Sequence, residues 1–232
     1  MTDLELIIFD MDGLMFDTER ISFSCWRQAA LRYGYALDEQ FYTKVIGSNV
    51  VRGKEMFLAH FGQDFPHGII RSETLEIIGK ALQANGVPVK EGLYELLDYI
   101  EQLNLKKAVA TSTSRDRTLE LLKMAGINNR FDYILCGDEI ENSKPHPEIF
   151  LKVAMNLGCL PEKCLVLEDS EAGILAAHSA GMISVMIADM KEPDDDIKIL
   201  PLKQMKSLTE VKLFLKAAER RRFCITECER IP

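Results

Sequence analysis

The chain has 232 residues, a formal net charge of −8 and a hydrophobic fraction of 47%. This length and apolar fraction allow a substantial core, built either as one large domain or as a core with a modest insertion. The acidic balance argues against nucleic acid or an anionic membrane as the main partner. Because no apolar stretch approaches the ~18 residues of a membrane span, we expect a cytoplasmic protein. We expect it to be a monomer or a weak dimer.

The first predicted element is a strand at residues 6–9, which ends in Asp10 and Asp12. Four consecutive apolar residues, two of them β-branched, predict a strand that is buried on both faces of a parallel sheet. Ligands of open α/β sheets bind at the carboxyl ends of the strands. Two carboxylates crowded there repel each other unless a cation, a proton or a hydrogen-bond donor stabilises them. The pair therefore indicates a site of chemistry.

Residues 19–83 form a block without a convincing strand. Trp26, Ala29, Ala30 and Tyr33 have the i, i+3, i+4, i+7 spacing of an amphipathic helix. Similar patterns predict helices near residues 39–45, 54–60 and 70–82. Since this block begins directly after the aspartates, we expect residues 17–88 to form an inserted helical cap that covers Asp10 and Asp12 like a lid.

Beyond residue 88 the pattern alternates between helices and strands. Helices are predicted at residues 93–102, 115–125 and 172–180, with another opened by Pro147 and a last one capped by Ser207 and Glu210. Strands are predicted at residues 108–111, 133–136, 164–167 and 183–187. This alternation predicts a Rossmann-like parallel sheet, so the fold class is α/β, with residues 1–16 and 89–232 as the core and an inserted all-helical cap.

Polar residues follow one predicted strand after another. In a single parallel sheet these positions converge on one cleft, although more than 150 positions separate some of them. The residues concerned are Asp10 and Asp12 after the first strand, Thr111, Ser112 and Thr113 after the second, Lys144 in the loop after the third, and Glu168 and Asp169 after the fourth.

This set of groups is suited to phosphoryl transfer. Asp10, Asp12 and Asp169 offer the oxygen ligands that Mg²⁺ prefers in proteins. With a metal and the Lys144 ammonium holding a phosphoryl group, one carboxylate can attack phosphorus in line and form an aspartyl phosphate. The neighbouring carboxyl group can then act as general acid and base.

The phosphate itself is expected to meet donors on its other side. The Thr111 hydroxyl and the Ser112 backbone N–H can donate to a phosphate oxygen at a helix N-terminus. The Lys144 ammonium can neutralise a phosphoryl oxygen and also reduce repulsion between the carboxylates.

Two other interpretations of the aspartate pair deserve comparison. An EF-hand loop starting at Asp10 would place Leu14, Met15 and Ile21 where a ligand, a glycine and a glutamate are required, so this interpretation fails. Asp10 and Asp12 as solvated carboxylates capping a helix would be plausible in isolation. The polar residues at the other strand ends argue against it.

Four motifs in order resemble those of the haloacid dehalogenase-like superfamily, in its β-phosphoglucomutase-like phosphatase branch with a helical cap. They are FDMDG at residues 9–13, VATS at 109–112, SKPHPEIF at 143–150 and LVLEDSEAGILAA at 165–177. With the cap spacing, the resemblance covers the chain to about residue 215. It implies that Asp10 is the nucleophile, Asp12 the acid/base, and Thr111 and Lys144 the stabilisers of the phosphate.

The resemblance also implies a magnesium site and a cap that selects the substrate. Mg²⁺ would be held by the side chains of Asp10 and Asp169 and the carbonyl of Asp12, with Glu168 coordinating directly or through one water. Residues that could determine cap specificity are Asp17, Glu19, Ser22 and Arg52.

The cap departs from the sugar-phosphate mutases of this branch. Those enzymes carry a histidine where this chain has Ile21 and Ser22, and a Lys-Gly pair followed by arginine where it has Ile46-Gly47 and a later Arg52. We therefore predict a magnesium-dependent phosphomonoesterase whose partner is a small phosphate ester, with sugar phosphates favoured. A phosphosugar mutase and a non-catalytic phosphate-binding module remain the alternatives.

Overall fold

In this computed structural model the backbone is described for residues 3–46, 48 and 50–228, and side chains are described as far as residue 219. The chain divides into two compact units. The α/β unit comprises Met1–Phe16, Val89–Asp189 and Pro193–Pro232, and the helical unit comprises Asp17–Pro88 and Met190–Glu192.

The α/β unit contains a six-stranded sheet in the described residues, with the order β3-β2-β1-β4-β5-β6. All of its neighbouring strands pair in parallel. The strands are β1 (Leu6–Phe9), β2 (Lys106–Ala110), β3 (Tyr133–Leu135), β4 (Cys164–Glu168), β5 (Ile183–Met186) and β6 (Lys203–Gln204). The predicted α/β class with a parallel sheet is confirmed, and β1 lies at its centre, buried along its whole length.

Ten α-helices are described. The helical unit contains α1 (Thr18–Arg32), α2 (Glu39–Val45), α3 (Val50–Phe61) and α4 (His67–Asn85). The α/β unit contains α5 (Leu93–Gln102), α6 (Arg115–Met124), α7 (Glu148–Leu157), α8 (Glu171–Ser179), α9 (Asp195–Lys198) and α10 (Leu208–Cys228). No helix in the described part of the chain is long and apolar enough to cross a membrane.

The core of the α/β unit lies between the sheet and the helices α7 and α8. Ile8 and Val166, on neighbouring strands, are fully buried in one apolar cluster with Phe150 and Ala177 of these helices. Truncating a buried phenylalanine to alanine typically costs about 3–5 kcal/mol. This packing fixes β1 and β4, and with them the loops that follow these strands.

The helical unit has a separate, aromatic core. The rings of Trp26 and Phe57 stack with centroids 4.6 Å apart, and Phe57 also stacks on Phe65 at 5.5 Å. Such aromatic pairs add about 0.5–1.5 kcal/mol to the burial of their surface. Of the amphipathic pattern predicted for α1, Trp26, Ala29 and Ala30 belong to this shared core, whereas Tyr33 is exposed just beyond the end of the helix.

Some element boundaries differ from the sequence predictions. The helices expected at 54–60 and 70–82 extend to Val50–Phe61 and His67–Asn85. The exposed two-residue strand β6 was not predicted, because its pairing with β5 rather than any local pattern defines it. At the start of α10, half of the predicted capping box is present, because the Ser207 hydroxyl accepts from the Glu210 N–H at 3.4 Å. The Glu210 carboxylate accepts from the Lys206 N–H at 3.0 Å and not from that of Ser207.

Candidate active site

The register of the central strands determines which residues lie side by side at the carboxyl edge of the sheet. Phe9 of β1 pairs with Val109 of β2 and with Leu167 of β4. The ladder continues one step further, because the Asp10 N–H donates to the Leu167 carbonyl at 3.0 Å. The side chains that follow these strands therefore emerge at one edge of the sheet, as expected for parallel strands.

Lys144 links two of these side chains. Its Nζ lies 2.6 Å from Asp10 Oδ1, 2.6 Å from Glu168 Oε1 and 3.0 Å from the Ala110 carbonyl. An ammonium group has three donors, and these three acceptors use all of them. The lysine side chain is only 5% exposed, so a buried ion-pair network joins the ends of β1, β2 and β4.

The charges of this network shift its pKa values. Burial is the largest influence on the pKa of Asp10 and raises it. The Lys144 ammonium opposes this rise, the Glu168 carboxylate adds to it, and the resulting pKa is about 7. Burial disfavours the Lys144 ammonium, but the carboxylates of Asp10 and Glu168 outweigh that effect and raise its pKa above the usual range. One lysine thus faces two carboxylates, which leaves an excess of negative charge.

Glu168 is fully buried and holds the loop after β4. Its Oε2 accepts hydrogen bonds from the backbone N–H of Asp169 at 3.1 Å, and from the backbone N–H and hydroxyl of Ser170 at 3.0 and 2.9 Å. The Ser170 hydroxyl in turn caps α8 by accepting from the Gly173 N–H at 3.0 Å. Both oxygens of Glu168 are therefore engaged by donors of the protein.

The carboxylates of Asp10, Glu168 and Asp169 could hold a cation. One oxygen from each lies within 4.8 Å of the other two. Asp169 lies close to the loop that carries Asp10 and Asp12, since a Cβ on Gly13 of that loop would lie 2.0 Å from Asp169 Oδ2. Gly13 has a φ of +82°, a backbone conformation that favours glycine. Oxygen donors of this kind and an excess of negative charge fit Mg²⁺, a hard cation.

The loop after β2 carries the remaining predicted residues of this edge. Thr111 is buried, and its Oγ1 accepts a hydrogen bond from the Thr113 N–H at 3.1 Å. A hydroxyl keeps its own proton for a second partner, so this bond is compatible with the predicted donation to phosphate. Ser112 is exposed, and Asp12 accepts a hydrogen bond from the Thr113 hydroxyl at 2.6 Å.

The helical unit contains a cavity of about 200 Å³. Glu19 and Ser22, predicted as specificity residues, belong to its lining, whereas Asp17 and Arg52 do not. Asp17 pairs instead with Arg20 at 2.9 Å, and Arg52 pairs with Glu55 at 3.4 Å. Gly47, part of the expected mutase comparison, lies outside the described residues.

Cationic side chains on α3 and α4 also line this cavity. They are Lys54 and Arg71, together with the buried His67 at the start of α4. Burial, followed by the positive charges of Arg71 and Lys54, lowers the pKa of His67. Aromatic and hydroxyl groups complete the lining, among them Trp26 and Tyr42.

Three residues that support the edge of the sheet were assigned no role from the sequence, although Thr113 was among the polar residues noted after the second strand. They are Thr113, which contacts Asp12, and Ser170 and Gly173, which hold Glu168. The available signal was their position within the motifs or next to them. A polar or small residue beside a strand end does not indicate which carboxylate it will meet.

The fold and this edge define an α/β protein with a lysine-bridged carboxylate site at the carboxyl end of a parallel sheet. The sequence profile of the haloacid dehalogenase-like hydrolases matches residues 7–187. The chain belongs to this family, and it is a phosphatase of the haloacid dehalogenase superfamily.

Named relatives and solved structures agree with this assignment. A phosphorylated carbohydrates phosphatase of Thermotoga maritima is 33% identical over 184 residues, which cover 77% of this chain and 82% of that protein. A fructose-1-phosphate phosphatase of Escherichia coli is 31% identical, with 77% of this chain and 94% of that protein covered. A crystal structure of β-phosphoglucomutase from Clostridium difficile superimposes with a TM-score of 0.74 at 25% identity, covering 96% and 99% of the two chains.

Proposed function

We propose that the protein is a magnesium-dependent phosphomonoesterase of small phosphorylated metabolites, with sugar phosphates as the favoured class, and that it acts through an aspartyl phosphate on Asp10. The observation that carries the proposal is the bridge from Lys144 to Asp10 and Glu168, with Nζ 2.6 Å from both carboxylates. A buried carboxylate beside a fixed ammonium is suited to attack a phosphoryl group whose negative charge the ammonium neutralises.

Mg²⁺, when bound, would neutralise phosphoryl oxygens and favour the ionised form of Asp10. Its protein ligands would be the carboxylates of Asp10 and Asp169 and the Asp12 carbonyl. Glu168 has both oxygens occupied by Lys144, Asp169 N–H and Ser170, so we assign it to orienting the lysine and the loop, with any contact to the metal running through water.

In the first half of the reaction, Asp10 attacks phosphorus and the ester P–O bond breaks. Asp12 gives its proton to the leaving alcohol oxygen as that bond breaks. The Thr111 hydroxyl and the Ser112 N–H donate hydrogen bonds to the phosphoryl oxygens, while the positive charge of Lys144 offsets the negative charge of the phosphoryl group. In the second half, Asp12 takes a proton from water while the water oxygen bonds to phosphorus. The bond between Asp10 and phosphorus then breaks, which releases inorganic phosphate and restores the carboxylate.

Sugar phosphates are favoured by two observations. Two relatives above 30% identity are named as phosphatases of phosphorylated carbohydrates and of fructose 1-phosphate. The cavity of the helical unit combines the Trp26 ring with the hydroxyls of Ser22 and Tyr42, and such a mixture suits a polyhydroxylated molecule.

The test is a panel of phosphorylated metabolites with Mg²⁺, in which released phosphate and isomerised product are measured together. We expect phosphate release from sugar phosphates, with Asp10→Asn inactive and correctly folded. Asp98→Asn, which alters a carboxylate 61% exposed in an ion pair with Arg130, is the matched control and should retain activity.

Two outcomes would overturn this proposal. Isomerisation of a hexose 1-phosphate without net release of phosphate would establish a mutase, and the similarity to a β-phosphoglucomutase makes that comparison necessary. Absence of turnover across the whole panel would support the non-catalytic phosphate-binding module.

A further inference from the structure

A short contact joins Asp12 to the loop after β2. The Thr113 Oγ1 lies 2.6 Å from Asp12 Oδ2, across 101 positions of sequence. A carboxylate offers only acceptors, so the hydroxyl is the donor. Hydrogen bonds to ionised oxygens are shorter and about twice as strong as neutral ones.

The backbone around Thr113 is anchored on both sides. Its N–H donates to Thr111 Oγ1 at 3.1 Å, and its carbonyl accepts from the Gly137 N–H at 3.0 Å. Gly137 itself packs against this loop so closely that a Cβ there would lie 2.1 Å from the Ser112 carbonyl oxygen. The Thr113 hydroxyl is thus presented by a fixed segment and not by a free loop tip.

Rotation about χ2 of an aspartate is broad and roughly two-fold, so its hydrogen bonds decide the plane of the carboxylate. The short bond from the Thr113 hydroxyl to Oδ2 favours one orientation of Asp12. Proton transfer demands such control, since the acid must lie within hydrogen-bonding reach of the leaving oxygen. The contact therefore bears on the reaction and not only on stability.

We infer that Thr113 is a positioning residue for the acid/base Asp12. By donating to Oδ2, it helps to fix the plane of the carboxyl group from which the proton passes to the leaving alcohol oxygen as the ester bond breaks. The same orientation serves when Asp12 takes a proton from the water that attacks the phosphorylated Asp10. This inference rests on the proposed function and adds a residue to which that function assigned no role.

The experiment compares Thr113→Val, which keeps the size and removes the hydroxyl, with Thr113→Ser, which restores the hydroxyl. Formation of the phosphoenzyme is followed by rapid quench in single turnovers with Mg²⁺. Two substrates are used: a sugar phosphate that the wild-type protein hydrolyses, and p-nitrophenyl phosphate. The alkoxide of the sugar needs a proton to leave, whereas p-nitrophenolate departs without one.

We expect Thr113→Val to slow transfer from the sugar phosphate by about 10–100-fold, part of what general acid catalysis contributes. Transfer from p-nitrophenyl phosphate should stay within about threefold of the wild-type rate, and Thr113→Ser should react with both esters at close to the wild-type rate. Thr118→Val removes a different, fully buried hydroxyl from the neighbouring helix α6 and should leave both rates unchanged.

An equal loss with both esters would show a role in folding or phosphate binding and would overturn the inference, as would full activity of Thr113→Val. A serine variant as slow as the valine variant would also contradict it. These results are separate from failure of the proposed function, because in that case the wild-type protein itself would form no phosphoenzyme with either substrate.

Discussion

The backbone of Gly173 lies against the carboxylate of Glu168 so closely that a Cβ at this position would stand 1.9 Å from Glu168 Oε1. Glu168 is fully buried and accepts from Lys144, so it has no space into which to withdraw. Because Gly173 has no side chain, the first turn of α8 can pack directly against the Glu168 carboxylate of the lysine-bridged site.

Gly173→Ala should consequently lower both stability and activity, although alanine favours helices by about 1 kcal/mol over glycine. Displacing Glu168 would move Lys144 away from Asp10, and we expect a loss of more than about tenfold in kcat. Steady-state kinetics and thermal unfolding would measure the two effects. Gly79→Ala is the control. Gly79 lies within α4, and a Cβ there would meet no atom of another element within 4 Å. That variant should be as stable as the wild-type protein or more stable.

Removing the charge of Lys144 leaves two buried carboxylates without their shared cation. Breaking a buried ion pair by removing one partner typically costs about 3–5 kcal/mol. Lys144→Met should show a loss of this size in chemical denaturation at neutral pH, together with loss of phosphatase activity. Lys163→Met, which removes a partly exposed pair with Glu5, should cost less than about 1 kcal/mol.

Adding Glu168→Gln to Lys144→Met tests the cause of that loss. With one of the two carboxylates made neutral, part of the stability should return while activity stays absent. A double variant no more stable than Lys144→Met would contradict the electrostatic explanation.

The raised pKa of Asp10 predicts how stability depends on pH. Its pKa is about 7 in the folded protein and about 3.9 in an unfolded chain. Between these values the folded state binds the proton more strongly, so the unfolding free energy falls as pH rises from about 4 to 7. Denaturation in the presence of a chelator should show this fall in the wild-type protein and a smaller one in Asp10→Asn. Parallel profiles of the two proteins would argue against a raised pKa.

The proposed Mg²⁺ ligands predict a specific loss of metal affinity. Asp169→Asn should weaken activation by Mg²⁺ by about 10–100-fold, because a coordinating carboxylate becomes a neutral amide. Magnesium titration of activity and of thermal stability would measure it. Asp138→Asn is the control, since that carboxylate belongs to another acidic group, with Cys136 and Glu139, and accepts from the Arg115 N–H. Equal weakening in both variants would remove Asp169 from the metal site.

The sequence by itself determined the class of the protein, because local patterns carry that information. A buried apolar run followed by Asp10 and Asp12, and a regular alternation of helices and strands, require a parallel sheet with polar groups at one edge. The positions of Thr111, Lys144 and Asp169 within motifs could be predicted in the same way, and so could the aromatic helices of the inserted segment.

Only the tertiary structure decided which of these groups touch. Three such contacts join elements that are distant in sequence. Lys144 bridges Asp10 and Glu168, and Thr113 donates to Asp12. Lys54 and Arg71 line one cavity. Hydrophobic and polar periodicity places a residue on a face or at an edge, within a few ångströms. Hydrogen bonds and ion pairs depend on tenths of an ångström, and those distances are fixed by how the sheet and its helices pack.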